Sequence, residues 1–348
     1  MYFSNKRYLE DLQKAYESIP GIEHLAGKSI LITGATGLVG AFLVDLCLYL
    51  DVFYDYKMQI YALGRNAEKM KRRFQSHIGD DRLHLIVQDV VEPLLLGDEL
   101  DYIIHAAGDG FPAAFREHPV ETMTPAFIGT YNLLEAARRL HVKRLMYISS
   151  GEIYGKSIEM EHAFREEESG IVDSMQVRSC YPMAKRAAET LCVSYSQEYG
   201  IDTVVARPGH IYGFAVSAND NRATVQFMNN ALKGEKIVLH SPGLQMRSYT
   251  YISDCVSGLL TVLLHGNNRE AYNIANRESR VTIAEYARIL SDVAGVGYEI
   301  RLPDEIQQKE LTPIEYAVLD SSKLEALGWK GRYKIRAGIE QMYRMAKE

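Results

Sequence analysis

Tyr181 and Lys185 stand one helical turn apart in the run Tyr181-Pro182-Met183-Ala184-Lys185. On a helix that spacing puts a phenol and an ammonium on one face. The ammonium favours the phenolate and draws its pKa down from an ordinary value of about 10 toward the range of a general base. Surface helices carry such a pair without consequence, so the spacing alone decides nothing. Ser149-Ser150-Gly151-Glu152, which closes the run that starts at Arg144, adds what the pair lacks. A hydroxyl at Ser150 completes a relay with Tyr181 and Lys185 that takes a proton from a substrate alcohol while hydride leaves its carbon.

A second constellation supplies a place for the hydride. Thr33 to Gly40 reads TGATGLVG, between the apolar run Ser29 to Ile32 and the amphipathic run Ala41 to Leu50. A strand that feeds a helix through three glycines is a dinucleotide phosphate cradle; without ligand it is only a strand-helix turn. Gly34 permits the tight turn, Gly37 lets the backbone approach a pyrophosphate, and Gly40 lets helix and strand pack closely. The helix N-terminus offers unpaired N–H groups to the anion. At the end of the second apolar run, where an acid would hold the adenosine ribose of NAD, the residues are Leu63-Gly64-Arg65-Asn66. With no acid to repel a 2′-phosphate and Arg65 to pair with it, this end favours NADP. Arg65 stacked on adenine would leave NAD as the ligand.

Such residues need a scaffold that brings strand ends together. Short apolar runs recur at Ser29 to Thr33, Gln59 to Leu63, Leu83 to Val87, Tyr102 to His105, Arg144 to Ser149 and Asp202 to Arg207, with helical stretches between them. That alternation predicts an α/β fold, a Rossmann-type doubly wound parallel sheet that binds ligands beyond the carboxyl ends of its strands. After Arg207 the pattern shortens: a Gly/Asn-rich stretch to Arg222, a helix to Leu232, strands near Ile237 and Tyr251, a helix from Asp254 to Leu264 and a helical C-terminus. This is read as a smaller, interleaved α/β C-terminal substrate lobe. The expected boundaries are an N-terminal helical extension over 1–27, a dinucleotide-binding domain over 28–206 with returns near 240–268, and a mainly substrate-binding lobe over 207–348.

Bulk properties narrow the partners. A chain of 348 residues, 47% apolar and 24% charged, is an ordinary globular protein large enough for two lobes. A net charge of -6 without a basic run argues against nucleic acid or an anionic membrane as partner. Cys47, Cys180, Cys192 and Cys255 show no metal-ligand spacing, and no His or carboxylate cluster does; metal catalysis is not expected, and a reducing cytoplasm is. The opening residues MYFSNKRYLEDLQKAYE lack the apolar stretch of a signal peptide and read as a surface helix. Ile30 to Phe53 imitates a membrane span, but Asp45 and Asp51 interrupt it and its glycines belong to the phosphate turn.

From Lys28 onward the chain resembles the extended short-chain dehydrogenase/reductase family of nucleotide-sugar epimerases, dehydratases and decarboxylases. TGATGLVG resembles its cofactor turn, and YIIHAAG, with Ala106 and Ala107, its fourth-strand motif near the nicotinamide ribose. IGTYNLLEAAR, YISSGEIYG, SCYPMAKRAAE, VVARPGHIYG, MRSYTYISD and AYNIA follow in the family's order. The resemblance implies Ser150, Tyr181 and Lys185 as the catalytic trio, with Lys185 and Tyr181 also at the nicotinamide. It implies cofactor contacts from Gly34, Thr36, Gly37, Leu38, Val39 and Gly40, from Arg65, from Asp89 with Val90 at the adenine, and from Ala106, Ala107 and Pro208. Arg247 is similar to the family's diphosphate arginine, and Arg222 to another sugar-nucleotide contact. His210, where the family usually has asparagine, is assigned to the sugar or to packing.

Glu152 separates branches of that family. Relatives that only invert C4 usually have a small or apolar residue there, whereas 4,6-dehydratases and glucuronate decarboxylases resemble this chain. A carboxylate beside C5 can move a proton once C4 is a ketone, because the ketone makes C5–H acidic or lets a C5 carboxylate leave as carbon dioxide. Gly151 stands where one type of dehydratase has an acidic proton donor. The GDGFPAAF segment departs from the serine- and proline-rich loop of decarboxylases. The expected activity is therefore oxidation of a nucleotide-linked sugar at C4, followed by decarboxylation or dehydration through the 4-keto intermediate. The alternatives are a nucleotide-sugar 4-epimerase and a non-catalytic NAD(P)-binding sensor. Apolar faces on the helices 181–199 and Val120 to Leu140 imply a homodimer by the same resemblance, simple burial being the other reading.

Overall fold

The computed structural model describes residues 2–97, 99–157, 162–214, 220–301 and 314–348. Within the Gly/Asn-rich stretch before Arg222, residues 215–219 therefore lie outside the described residues. Six apolar runs form strands β1 (Ser29–Thr33), β2 (Gln59–Gly64), β3 (Leu83–Val87), β4 (Tyr102–His105), β5 (Arg144–Ile148) and β6 (Thr203–Pro208). They pair in parallel in the order β3-β2-β1-β4-β5-β6, and a later strand extends the sheet at the β6 edge. The winding reverses between β1 and β4, whose register runs Ile30↔Tyr102 to Thr33↔His105. A crevice for a ligand opens at such a reversal. Ile30 and Ile32 pack into the core on one side of the sheet and Leu31 into the core on the other. The run is thus apolar throughout because both faces of a parallel strand are covered.

Helices are α1 (Lys6–Tyr16), α2 (Leu38–Tyr54), α3 (Ala67–Arg73), α4 (Pro112–Glu117), α5 (Pro119–Thr124), α6 (Thr130–Arg139), α7 (Cys180–Tyr199), α8 (Ala223–Leu232), α9 (Ile252–His265) and α10 (Ile283–Ala294). A last helix runs from Ile335 to Lys347. The apolar stretch that imitates a membrane span is β1 and the buried helix α2; among the described residues no helix is long and apolar enough to cross a membrane. α1 is docked rather than merely superficial: Tyr8, Asp11, Leu12 and Ala15 are buried against α2 and α9. The Tyr8 hydroxyl donates to Asp45, which also holds Arg73. Asp11 accepts from Tyr251 at 2.6 Å, Tyr333 at 2.5 Å and Gln341 at 3.2 Å.

The helix expected over Val120 to Leu140 is interrupted. Between α5 and α6, Pro125–Gly129 forms a wide π turn. Pro125 has no N–H to give, the Thr130 hydroxyl takes the Ala126 carbonyl at 2.5 Å, and Gly129 sits where a Cβ would meet Val90 at 2.8 Å.

The remaining strands are β7 (His210–Tyr212), β8 (Ile237–Leu239), β9 (Met246–Tyr251), β10 (Glu270–Ile274), β11 (Arg280–Thr282), β12 (Tyr298–Ile300) and β13 (Tyr316–Ala317). β9 is flanked by β11 and β13 and also pairs with β7, while β8 pairs with β12. The chain returns to the main sheet at β10, just past the 240–268 window, and the helix inside that window, α9, covers the sheet.

Candidate active site

Gly34 has φ +64°, and a Cβ there would lie 2.7 Å from the Ala106 carbonyl oxygen and 2.9 Å from the Ala107 Cα. The turn off β1 is therefore pressed against the end of β4, where the two alanines are half-buried. A Cβ on Gly40 would run into the Gly34 carbonyl, which makes that glycine a requirement of strand-helix packing. Gly37 caps α2 with no side-chain hydrogen bond, and Thr36, Leu38 and Val39 stand half-buried around it. An uncapped N-terminus cleared of side chains fits a pyrophosphate.

The floor of this crevice is hydrogen-bonded through Thr33. Its hydroxyl oxygen accepts from the amides of Ala106 at 3.2 Å and Ala107 at 3.1 Å, and lies 2.8 Å from His105 Nδ1. His105 Nε2 faces the Pro125 carbonyl at 3.1 Å, so Nε2 carries the hydrogen and Nδ1 accepts from Thr33. Burial pushes the His105 pKa down to about 3, with Lys185 adding to it, so the ring is a neutral strut.

At the adenine end, Asp89 accepts from the Val91 amide at 3.1 Å. Val90, expected as a cofactor contact, is buried: its side chain packs on Gly129 and its carbonyl accepts from Asn132 at 3.2 Å. Arg65 follows β2 and reaches across to Asp109, on the loop after β4, at 3.3 Å, with both side chains exposed.

β5 delivers Ser150 and Glu152. Ser150 caps the short turn Gly151–Tyr154 by accepting from the Glu152 amide at 3.2 Å. Tyr181 lies in the first turn of α7, and the Ser150 hydroxyl is near enough to its phenol to act against the rise in its pKa. Lys185, 6% exposed, donates to the Ile148 carbonyl at 2.8 Å and so ties α7 to the end of β5. Burial lowers the Lys185 pKa to about 8, with Glu189 opposing.

The expectation that Lys185 draws the Tyr181 phenol down is corrected here. Burial, with Glu152 adding to it, pushes that phenol up to about 12 against the Ser150 hydroxyl and the charges of Arg222 and Arg178. The Lys185 ammonium is spent on a carbonyl and stands 5.7 Å from the Tyr181 ring centre.

Two further side chains complete the cluster. Phe115 stacks on Tyr181 at 4.5 Å and 22°, and Arg178 lies 4.6 Å over Phe115 with its guanidinium 2.8 Å from Glu152. Neither was expected from the sequence. Arg178 stands one residue before SCYPMAKRAAE, and Phe115 sits in the GDGFPAAF segment that departs from its relatives, which is the signal that was there to follow.

β7 and β9 bring His210 and Arg247 to the same side. Arg247 is 3% exposed and donates to the carbonyls of Met246 at 2.8 Å, Glu315 at 3.1 Å and Ile314 at 2.6 Å. Among the described residues it has no carboxylate at ion-pair distance, and burial lowers its pKa with Tyr249 and Glu152 opposing. A buried cation held only by carbonyls retains capacity for an anion. Burial, aided by Arg247 and Arg222, takes His210 down to about 3, so its imidazole is neutral. Arg222 is engaged by Asp220 at 2.6 Å and by the Ile211 carbonyl at 3.1 Å. It lines an apolar cavity of 160 Å³ with Val225, Met228, Tyr286 and Met342 that none of Ser150, Glu152, Tyr181 and Lys185 touches. Among the described residues no cluster of His, Cys, Asp and Glu could hold a metal ion. The four cysteines are free and buried.

Residues 30–275 match the model of the NAD dependent epimerase/dehydratase family. The chain is 34% identical over 318 residues to UDP-glucuronic acid decarboxylase 3 of Arabidopsis thaliana, covering 90% of this chain and 87% of that protein. It is 32% identical over 340 residues to UDP-glucuronic acid decarboxylase 1 of Xenopus tropicalis, covering 96% and 76%. Among solved structures, UDP-glucuronic acid 4-epimerase from Bacillus cereus, in complex with UDP-glucuronic acid and NAD, superposes with a TM-score of 0.77 at 23% identity over 92% of this chain and 99% of that one. A dTDP-glucose 4,6-dehydratase from Bacillus anthracis in complex with NAD gives 0.76 at 20% identity over 92% and 97%. At those identities the two structures speak to the fold.

Proposed function

The chain belongs to the NAD dependent epimerase/dehydratase family, and from that premise we propose that it decarboxylates UDP-glucuronate through a 4-keto sugar. The observation that carries this choice within the family is the Glu152–Arg178 pair at 2.8 Å, placed beside the Tyr181 phenol. Arg178 offers a planar fork to the C5 carboxylate of such a substrate, and Glu152 is the group to deliver a proton to C5 once that carboxylate has gone. The decarboxylases at 34% and 32% identity support the same reading.

Bound in the crevice, NAD would supply a reversible hydride acceptor for C4. Tyr181 takes the proton of the C4 hydroxyl, with the Ser150 hydroxyl holding it in line. Lys185, charged below about pH 8, ties α7 to the end of β5 through the Ile148 carbonyl, while the Ser150 hydroxyl and the charges of Arg222 and Arg178 oppose the rise of the phenol. After oxidation, loss of carbon dioxide leaves an electron pair that spreads from C5 to the C4 oxygen, where the Tyr181 proton is held ready. Gly34, Thr36, Gly37, Leu38, Val39 and Gly40 would hold the pyrophosphate, Asp89 the adenine, and Ala106, Ala107, Lys185 and Pro208 the nicotinamide end. Arg247 would take the diphosphate, with Arg222 and His210 along the nucleotide and sugar.

For the cofactor we infer NAD over NADP. Asp109 already answers Arg65, so a 2′-phosphate there would have to displace one carboxylate and sit beside it. A homodimer is supported by an exposed apolar strip: Val120, Met123, Phe127, Ile128 and Tyr131, with Val193 and Tyr199 of α7. Buried free thiols suit a reducing compartment such as the cytoplasm.

The test is mass spectrometry of the purified protein with NAD and UDP-glucuronate. Loss of the mass of carbon dioxide is the expected result. An unchanged mass with inverted C4 would establish the 4-epimerase instead, and a protein inert toward a panel of UDP, GDP, CDP and dTDP sugars would make it a sensor.

A further inference from the structure

Phe115 sits between two groups that have different work to do. Its ring, 1% exposed, stacks on Tyr181 at 4.5 Å and 22°. That leaves the other face to Arg178, whose guanidinium carbon lies 4.6 Å from the same ring centre. An aromatic face is electron-rich, so it attracts a cation on one side while an offset ring covers the other. A guanidinium held in this way keeps its N–H groups for oxygen acceptors. Among the described residues the Arg178 side chain donates to Glu152 alone, at 2.8 Å.

Little of the fold depends on this ring. Phe115 belongs to neither of the cores that cover the main sheet; with Ala114 and Cys180 it makes a small buried cluster against which Phe111 and Tyr181 pack. What fixes it is local. The Ala113 amide donates to the Asn221 side chain at 3.4 Å, the Thr122 hydroxyl to the Ala114 carbonyl at 3.3 Å, and the Cys180 thiol to the Phe115 carbonyl at 3.7 Å. The same segment passes the far end of the phenol, where a Cβ on Gly110 would stand 3.6 Å from the Tyr181 hydroxyl. With glycine there, that oxygen stays uncovered on this side.

In a uronate sugar the C4 hydroxyl and the C5 carboxylate hang from adjacent carbons. A base for the first and a cation for the second must therefore stand a short, fixed distance apart. We infer that Phe115 is a positioning residue, whose ring spaces the Tyr181 phenol from the Arg178 guanidinium so that one sugar meets both. This rests on the roles proposed above for Tyr181 and Arg178.

Phe115→Leu, which keeps the apolar filling and removes the two faces, and Phe115→Tyr, which keeps the faces, test it with NAD bound. Titration calorimetry compares UDP-glucuronate with UDP-xylose, the same sugar nucleotide without the carboxylate, in the Tyr181→Phe background where turnover is suppressed. Phe115→Leu is expected to weaken UDP-glucuronate roughly 3-fold or more and to leave UDP-xylose within about twofold. Equal weakening of both would reduce Phe115 to structural packing and overturn the inference. In turnover of UDP-glucuronate, kcat of Phe115→Leu is expected to fall roughly 10-fold or more, with Phe115→Tyr restoring rate and affinity toward wild type. A leucine variant with wild-type kcat sinks the idea, as does a tyrosine variant of wild-type Tm that performs no better than leucine. A urea-unfolding cycle with Phe115→Leu and Arg178→Leu is expected to be non-additive, and additive costs would rule out the clamp whatever the sugar. A wild type that binds UDP-glucuronate and releases no carbon dioxide defeats the proposed function alone, since the binding comparison and the unfolding cycle still decide the place of Phe115.

Discussion

A buried phenol pushed up to about 12 is a poor base until something opposes its burial, and the residues placed to do so are Ser150, Arg222 and Arg178. Tyr181→Phe removes the proton acceptor and leaves the crevice intact, so turnover is expected to fall by roughly 10²–10⁴-fold while NAD titration, followed by protein fluorescence, is unchanged. Lys185 supplies the pH dependence. Its pKa is lowered to about 8, so its charge is present below that pH and lost above it. The rate is therefore expected to decline as pH rises through about 8, and Lys185→Arg, charged at every working pH, is expected to abolish that alkaline decline even if its rate is lower. Gly34→Ala forces a Cβ against the Ala106 carbonyl at a φ of +64° and is expected to abolish NAD binding. The glycines were legible in the sequence because a turn of this kind writes its needs into adjacent residues. Arg178 was not, because its meaning lies in a carboxylate 26 positions away.

Elements followed local pattern except where a polar group is satisfied from a distance. β10 holds a buried Asn273 that its sequence marks as unsuited to a core. Asn273 is paid for by Tyr154, Phe164, Glu166 and Asp320, all remote in the chain. The docking of α1 was equally hidden, since an amphipathic helix says that it has a partner and not which. Leu12→Ala is expected to cost about 2–5 kcal/mol in urea unfolding, the usual loss for a buried leucine. Asp254 on α9 accepts from the amides of Arg332 at 2.9 Å and Tyr333 at 3.0 Å and from Asn276 at 3.1 Å, yet burial raises its pKa from 3.8 to about 6. The folded state then holds a proton that the unfolded state has released. Stability from this group is complete below about pH 4 and declines as pH rises to about 6. Comparison of Tm between wild type and Asp254→Asn from pH 4 to 7 is expected to show the wild-type advantage shrinking across that window.

For the whole molecule, the parallel sheet and its switch point were legible because six strands announce themselves as apolar runs between helices. The strands after β6 were less so, because β7, β11 and β13 are only two or three residues long and pair with β9 from distant parts of the chain. Assembly belongs to this scale: Phe127→Asp with Ile128→Glu is expected to convert a dimer to a monomer in light scattering. Those two residues sit inside the wide turn that Pro125 opens. Each residue of a regular helix advances by roughly 100°, so deleting one position between Pro125 and Gly129 would screw all of α6 round by about that angle. Glu135 would swing away from the Tyr195 hydroxyl it meets at 2.7 Å, and Arg138 from the face of Tyr199. A single irregular coil thus sets the azimuth of a whole helix, and with it which side chains the protein shows to a second copy of itself.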